Sequence, residues 1–389
     1  MTEITPRRTS SVVRAGPEGA RFTLEGGKRQ TSASTASASF QEEGGGQIQH
    51  TTLRCFDASS LDVIEMIGIG KSAITVKARL SNYGLVAVKC IPVATLVDEE
   101  EGGGGKASPG GVDGMDVLLS LPLEILLHSL LDHERIPRLI GVCMERTEIL
   151  MIQELVAPSA GVGEGTPSDL WSLLYAGPRG KGAREGGGGG TCLDLGQILR
   201  TASDVAEALE HLHSKGICHC DINPKNILIG EGGRAFLTDF GCARRLSEQR
   251  PSEQRMRGCT NYAAPEVVSG GSQRASAKSD MYSFGGVLLE MAVGRMPWEG
   301  LPDCEIEYQT QVRRRSALDH SREMGATAGR GREVERGRGG EAFAELLRGL
   351  LSFDPGDRPS ASTARAAVRE IGADGKRRPS RERDDSEKL

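Results

Sequence analysis

The chain has 389 residues, 38% hydrophobic and 26% charged, enough for one large or two modest packed domains, while 52 glycines and only 4% aromatics indicate that part of the length is unpacked. A formal net charge of −5 excludes a protein that grips nucleic acid through a broad cationic face. No stretch has the length and apolarity of a membrane span or a secretory leader, so a cytoplasmic setting, or a nuclear one, is expected, and the nine cysteines then read as free thiols.

In chain order, residues 1–59 are rich in Ser, Thr, Gly and Arg, with the low-complexity run "TSASTASASF", and are expected to be a disordered tail. From Leu61, "LDVIEMIGIGKSAITVKARLSNYGLVAVKCIPV" reads as three β-runs broken by Gly68 and Gly70 and by the turn "SNYG", an antiparallel meander. "LPLEILLHSLLDH" has helical spacing, with Ser120 as N-cap and Pro122 in the first turn, and "EILMIQELV" is a buried strand. A mainly helical region follows. In "ILRTASDVAEALEHLHSKGI" the residues Ile198, Ala202, Val205, Ala206, Leu209 and Leu212 share one helix face. "NILIG" and "AFLTDFG" form a hairpin, and "SDMYSFGGVLLEMAVG", apolar nearly all round, is a central buried helix. Segments near 98–117, 157–191 and 316–340 have linker composition and are read as surface insertions, and 373–389 is a charged disordered tail.

Each short motif has an ordinary reading of its own. "GIGKSA" fits a glycine turn as well as a phosphate cradle, whose glycines let backbone amides approach phosphate oxygens. Lys89, ending a strand, fits a solvated lysine, or a buried one paired with Glu124 on the next helix. Asp221, Asn226 and Asp239 fit turn and cap residues. Cys218, His219 and Cys220 lack a partner pair at zinc-ligand spacing, and structural zinc takes four ligands. Order and spacing together outweigh these readings. A glycine hairpin, a strand lysine, a helical glutamate, Asp221 with Asn226, and Asp239 stand in the order that phosphoryl transfer to a hydroxyl requires.

With "GCTNYAAPE", "SDMYSFGGVLLEMAVG" and "FDPGDRPS" added, the chain from Leu61 to Ile371 resembles the eukaryotic protein kinases, most closely the tyrosine-kinase-like serine/threonine branch. The resemblance implies an α+β bilobal fold, a small antiparallel β lobe over 60–156 and a larger mainly α lobe over 157–372, with ATP in the cleft and protein substrates. It implies that Gly68 and Gly70 cover the phosphates, that Thr75 stands where a valine packs on adenine, and that Ile67, Ile69, Lys71, Ser72, Ala73 and Ala87 belong to the same nucleotide site. Lys89 would hold the α- and β-phosphates and pair with Glu124, Gln153 would be the gatekeeper, and Glu154 to Val156 the hinge. Asp221 would be the catalytic base, and Asn226 and Asp239 would hold Mg2+. Glu266 and Arg358 would form a buried pair, and Asp280 would bond the backbone of the catalytic loop.

The departures are specific. Ala73 replaces a third glycine, and Cys220 replaces an arginine that meets an activation-loop phosphate, so phosphorylation at Ser247 or Ser252 is expected to activate little. Asn223 replaces a lysine that neutralises the γ-phosphate, leaving a hydrogen-bond donor at a catalytic position. His128 stands where the family packs an apolar residue, which implies a loosely held Lys89–Glu124 pair; Thr260 beside Tyr262 implies serine/threonine specificity. Two classes of function follow: an active kinase, favoured by the retained Lys89, Asp221, Asn226 and Asp239, and a pseudokinase scaffold, favoured by Ala73, Cys220, Asn223 and His128.

Overall fold

The computed structural model describes residues 11–15, 20–24, 33–40, 49–70, 73–92, 123–145, 147–157, 169–175, 193–246, 259–268, 276–323 and 338–374. They fall into two compact units, Met1–Val156 and Ala157–Leu389.

The first unit is a sheet with one helix. Its strands are β1 (Ser11–Ala15), β2 (Ala20–Leu24), β3 (Ala33–Phe40), β4 (Gln49–Phe56), β5 (Leu61–Ile69), β6 (Ile74–Leu80), β7 (Gly84–Pro92), β8 (Leu139–Met144) and β9 (Glu148–Glu154), with helix α1 (Leu123–Ser129) between β7 and β8. The strand order is β1-β2-β3-β4-β8-β9-β7-β6-β5. The expected meander is β5-β6-β7, closed by a turn with Asn82 at φ 67 and Gly84 at φ 94, values an Asn or Gly adopts at low cost.

Four strands lie in the stretch expected to be a tail. Strands β1 to β4 pair antiparallel in succession, and β4 joins the sheet in parallel, Cys55 beside Val142 and Phe56 beside Cys143. Ladder bonds are made by backbone, and Ser, Thr and Ala do not prevent them. Leu53 is buried in a cluster with Ile91, Ile125, Val142, Ile149 and Met151, so β4 adds to the core. The approach depends on Gly141, where a Cβ would lie 2.4 Å from the Arg54 carbonyl oxygen and 2.6 Å from the Phe56 ring.

The second unit is mainly helical. In order it holds α2 (Leu170–Tyr175), α3 (Leu195–Ser214), β10 (Ile217–Cys218), β11 (Ile227–Ile229), β12 (Ala235–Leu237), β13 (Arg244–Arg245), α4 (Pro265–Val268), α5 (Ala277–Val293), α6 (Asp303–Gln311), α7 (Ala317–Glu323), α8 (Arg338–Leu350) and α9 (Ala361–Asp374). Helix α3 starts at a capping box of Asp194 and Gln197, and its six expected face residues are all buried. Helix α5, capped by Ser276 and ended by Gly294 at φ 68, is buried over most of its length. Strands β11 and β12 form the expected hairpin.

Two of the expected insertions contain helices. Leu170 and Leu174 of α2 are fully buried, as is Ala317 at the start of α7. Glycine-rich flanks hid these short apolar pairs from a reading based on composition. The insertion near 98–117, Ser120, Pro122, Ser247, Ser252 and the tail at 375–389 lie outside the described residues. Among the described residues no helix is long and apolar enough to cross a membrane.

Candidate active site

In the first unit the strand registers bring the expected nucleotide-binding residues onto one face. Thr75 pairs with Lys89 and Lys89 with Met151, while Ala87 pairs with Gln153; cross-strand partners share a face, as do residues two apart. Ala87 and Gln153 are buried. Gly68 pairs with Thr75, and the Gly70 amide donates to the Ala73 carbonyl at 2.8 Å, closing the glycine hairpin with Ala73 buried. Ile67 and Ile69 are exposed, and Lys71 and Ser72 lie outside the described residues. Glu154 accepts the Arg138 amide on its carboxylate and donates its own amide to the Arg138 carbonyl, and Val156 is half-buried at the end of this unit.

The Lys89 ammonium meets Glu124 Oε1 at 2.6 Å, the two side chains 14% and 10% exposed. This corrects the expectation of a loosely held pair. His128, one turn on, is buried, and its Nε2–H donates to the Pro137 carbonyl at 2.7 Å. Burial, with the Lys89 charge adding, lowers its pKa to about 4 despite that bond, so the ring is neutral at pH 7. A neutral imidazole with a carbonyl partner fills the place of an apolar side chain and leaves the ion pair intact.

In the second unit Asp221 sits in a net of donors. Its Oδ1 accepts the Asn223 carboxamide at 3.0 Å and the Cys259 amide at 3.1 Å, and its Oδ2 accepts the Asn226 carboxamide at 3.1 Å. Asn226 also donates to the Asp221 carbonyl at 2.8 Å. The loop backbone is fixed from below: the fully buried α5 residue Asp280 accepts the amides of His219 and Cys220 at 2.8 and 2.9 Å, and His213 Nε2 at 2.9 Å. The His219 ring accepts the Asp221 amide on Nδ1 and donates from Nε2 to the Thr238 carbonyl, which fixes its tautomer. The Thr238 amide in turn donates to the Asn226 carbonyl at 3.0 Å, so the segment carrying Asp239 is bonded to the loop carrying Asn226. Asp239 itself has φ 65, a conformation disfavoured for a residue with Cβ, and accepts the Gly241 amide.

Asn223 is a hydrogen-bond donor beside Asp221. Its amide nitrogen goes to Asp221 and its oxygen accepts the Lys225 amide at 3.0 Å, capping the short 3-10 turn Pro224–Asn226. Both ends of the carboxamide are committed inside the loop. The oxygen set fits a hard divalent cation: Asn226 directs its nitrogen at Asp221, so its carboxamide oxygen and the Asp239 carboxylate are the groups that would hold magnesium.

Sequence reasoning missed Cys259. Its backbone amide reaches Asp221, and such a bond has no signature in residue type. It also missed Glu290, a fully buried carboxyl between the hydroxyls of Tyr175 at 2.7 Å and Tyr262 at 2.5 Å, its pKa raised by burial to about 7. The expected structural pair is present: Arg358 clasps Glu266 with two bonds of 2.6 and 2.8 Å.

A family model described as "Protein kinase domain" matches residues 61–368. The chain is 36% identical over 106 residues to mitogen-activated protein kinase kinase kinase 17 of Arabidopsis thaliana, covering 27% of this chain and 27% of that protein. It is 38% identical over 112 residues to the proto-oncogene serine/threonine-protein kinase mos of Rattus norvegicus, covering 28% and 32%. It is 32% identical over 196 residues to the receptor-like kinase TMK4 of Arabidopsis thaliana, covering 49% and 19%. These alignments span less than a third of the length of each relative. The chain, matched over most of its length and carrying the Lys89–Glu124 pair and the Asp221 loop that the motifs imply, belongs to the protein kinase domain family.

Proposed function

We propose that this chain transfers the γ-phosphate of ATP to serine and threonine hydroxyls of protein substrates, as a member of the tyrosine-kinase-like branch acting in the cytoplasm or nucleus and not on nucleic acid. The observation that carries the reading is the Asp221 carboxylate, oriented by Asn223, Asn226 and the Cys259 amide. A carboxylate fixed in this way orients the attacking hydroxyl and takes its proton. Lys89, fixed by Glu124, neutralises nucleotide phosphate, and Thr75, Ala87 and Gln153 on the same sheet face line an adenine site closed by the segment Glu154–Val156. Magnesium, when bound, would be held by Asn226 and Asp239 and would supply charge neutralisation on the phosphates. Positioning and electrostatics dominate such a reaction, and the groups it needs are retained.

The second reading, a nucleotide-binding pseudokinase, is favoured by one observation: the Asn223 carboxamide is used within the loop where a cation is usual. The two separate in an assay of labelled ATP with magnesium on a generic basic protein. Incorporation is expected to fall about 100-fold or more in Asp221→Asn and Lys89→Met. Equal incorporation in all three proteins removes the enzyme reading. Nucleotide-induced thermal stabilisation without incorporation by the wild type establishes the scaffold.

A further inference from the structure

The residue before Asp221 is a cysteine, and a second lies two positions earlier. Cys220 Sγ sits 3.5 Å from Cys218 Sγ, both free thiols. Cys218 is fully buried in β10, which pairs with β13 through Arg244, while Cys220 is partly exposed. A disulfide needs about 2.05 Å between sulfurs, so side-chain rotation and a small backbone shift separate the pair from a bond. We propose that Cys218 and Cys220 form a reversible disulfide under hydroperoxide, and that closing it displaces Asp221 and stops phosphoryl transfer, an inference that rests on the kinase reading for its second half.

The chemistry balances within the pair. The sulfur of the half-buried Cys220 attacks the distal oxygen of the hydroperoxide; the O–O bond breaks, an alcohol or water leaves with the thiol proton, and a sulfenic acid remains. The Cys218 sulfur then attacks Cys220; the S–S bond forms, the S–O bond breaks, and hydroxide leaves with the Cys218 proton as water. Two thiols lose two electrons in total, and one hydroperoxide is reduced. Cys218 and burial hold the Cys220 thiol protonated, its pKa well above the usual thiol value, so the first step quickens as pH rises.

The consequence for Asp221 follows from how the loop is held. Cys220 has φ 65 and its amide is bonded to Asp280, so the backbone has little slack, and a sulfur drawn inward pulls on the peptide that leads into Asp221. A misplacement of about 1 Å in a reacting group costs on the order of 100-fold in rate.

The experiment uses the full chain treated with hydrogen peroxide, alkylated and digested with trypsin, which releases Gly216–Lys225, a peptide holding Cys218 and Cys220 and no other cysteine. The expected result is a peptide lighter by two hydrogens and refractory to alkylation, together with a loss of transfer of about tenfold or more that dithiothreitol restores. Cys218→Ala should abolish the two-hydrogen loss. Two alkylated cysteines, or a sulfonic acid on Cys220 without a crosslink, overturns the disulfide. A fully closed disulfide with unchanged transfer overturns the switch. Should the reduced wild type transfer nothing, the kinase reading fails and the peptide mass still decides whether the bond forms.

Discussion

The two units each contain an ion pair, and they are secured by different means. In the helical unit Arg358 uses all five of its N–H groups: two on Glu266, and one each on the carbonyls of Ser352, Lys278 and Phe353, with Tyr282 beneath the guanidinium. In the sheet unit Lys89 meets Glu124, and α1 is fixed by apolar contact, Ile125 and Leu127 fully buried and Leu126 nearly so. A guanidinium can be locked by its own hydrogen bonds, whereas a flexible ammonium depends on whatever holds its partner. The first arrangement is a structural fixture; the second can be loosened from a distance.

Four perturbations test that contrast. The largest effect is expected from Arg358→Ala, which strands Glu266 and three carbonyls at a cost of about 3 to 5 kcal/mol. Thermal melting should show unfolding or insolubility, and a soluble variant with normal activity removes the fixture. Acid acts next, inside the sheet unit. Because burial lowers the His128 pKa from 6.5 to about 4, the unfolded chain binds a proton the folded chain refuses. This contribution is complete above about pH 6.5 and is lost as the pH falls through 4, at most about 3 kcal/mol. Urea unfolding between pH 7 and 4.5 should show a shallower slope for His128→Leu, and identical slopes refute the assignment.

Leu53→Ala should cost about 2 kcal/mol by leaving a cavity against Ile125. Because the helix bearing Glu124 loses support, ATP affinity should weaken as well, with Leu53→Ile restoring both. Unaltered affinity in a destabilised variant limits Leu53 to the core. The smallest stability effect belongs to Glu124→Gln, whose carboxamide oxygen still accepts from the Lys89 ammonium, with transfer down about tenfold or more. A melting temperature lowered as far as in Arg358→Ala erases the distinction between the pairs.

Periodic burial made most of the elements legible. The α3 face, the β11–β12 hairpin and the buried α5 follow from spacing alone, and the identities of Lys89, Glu124, Asp221, Asn226 and Asp239 follow from their order in the chain. What stayed hidden has physical reasons. The Cys259 contact is made by an amide that every residue but proline carries. The role of Asn223 turned on where its carboxamide points, and β4 is built from residues whose composition resembles a linker. His128 looked like a defect because residue type does not reveal that a carbonyl waits for its proton.

Gly141 sets the fate of the amino-terminal extension. Any side chain there would push against the Arg54 carbonyl and the Phe56 ring and expel β4, leaving β8 as an uncapped border with unpaired peptide groups. Such a border offers the peptide groups of β8, in place of those of β1, to any strand that pairs with them.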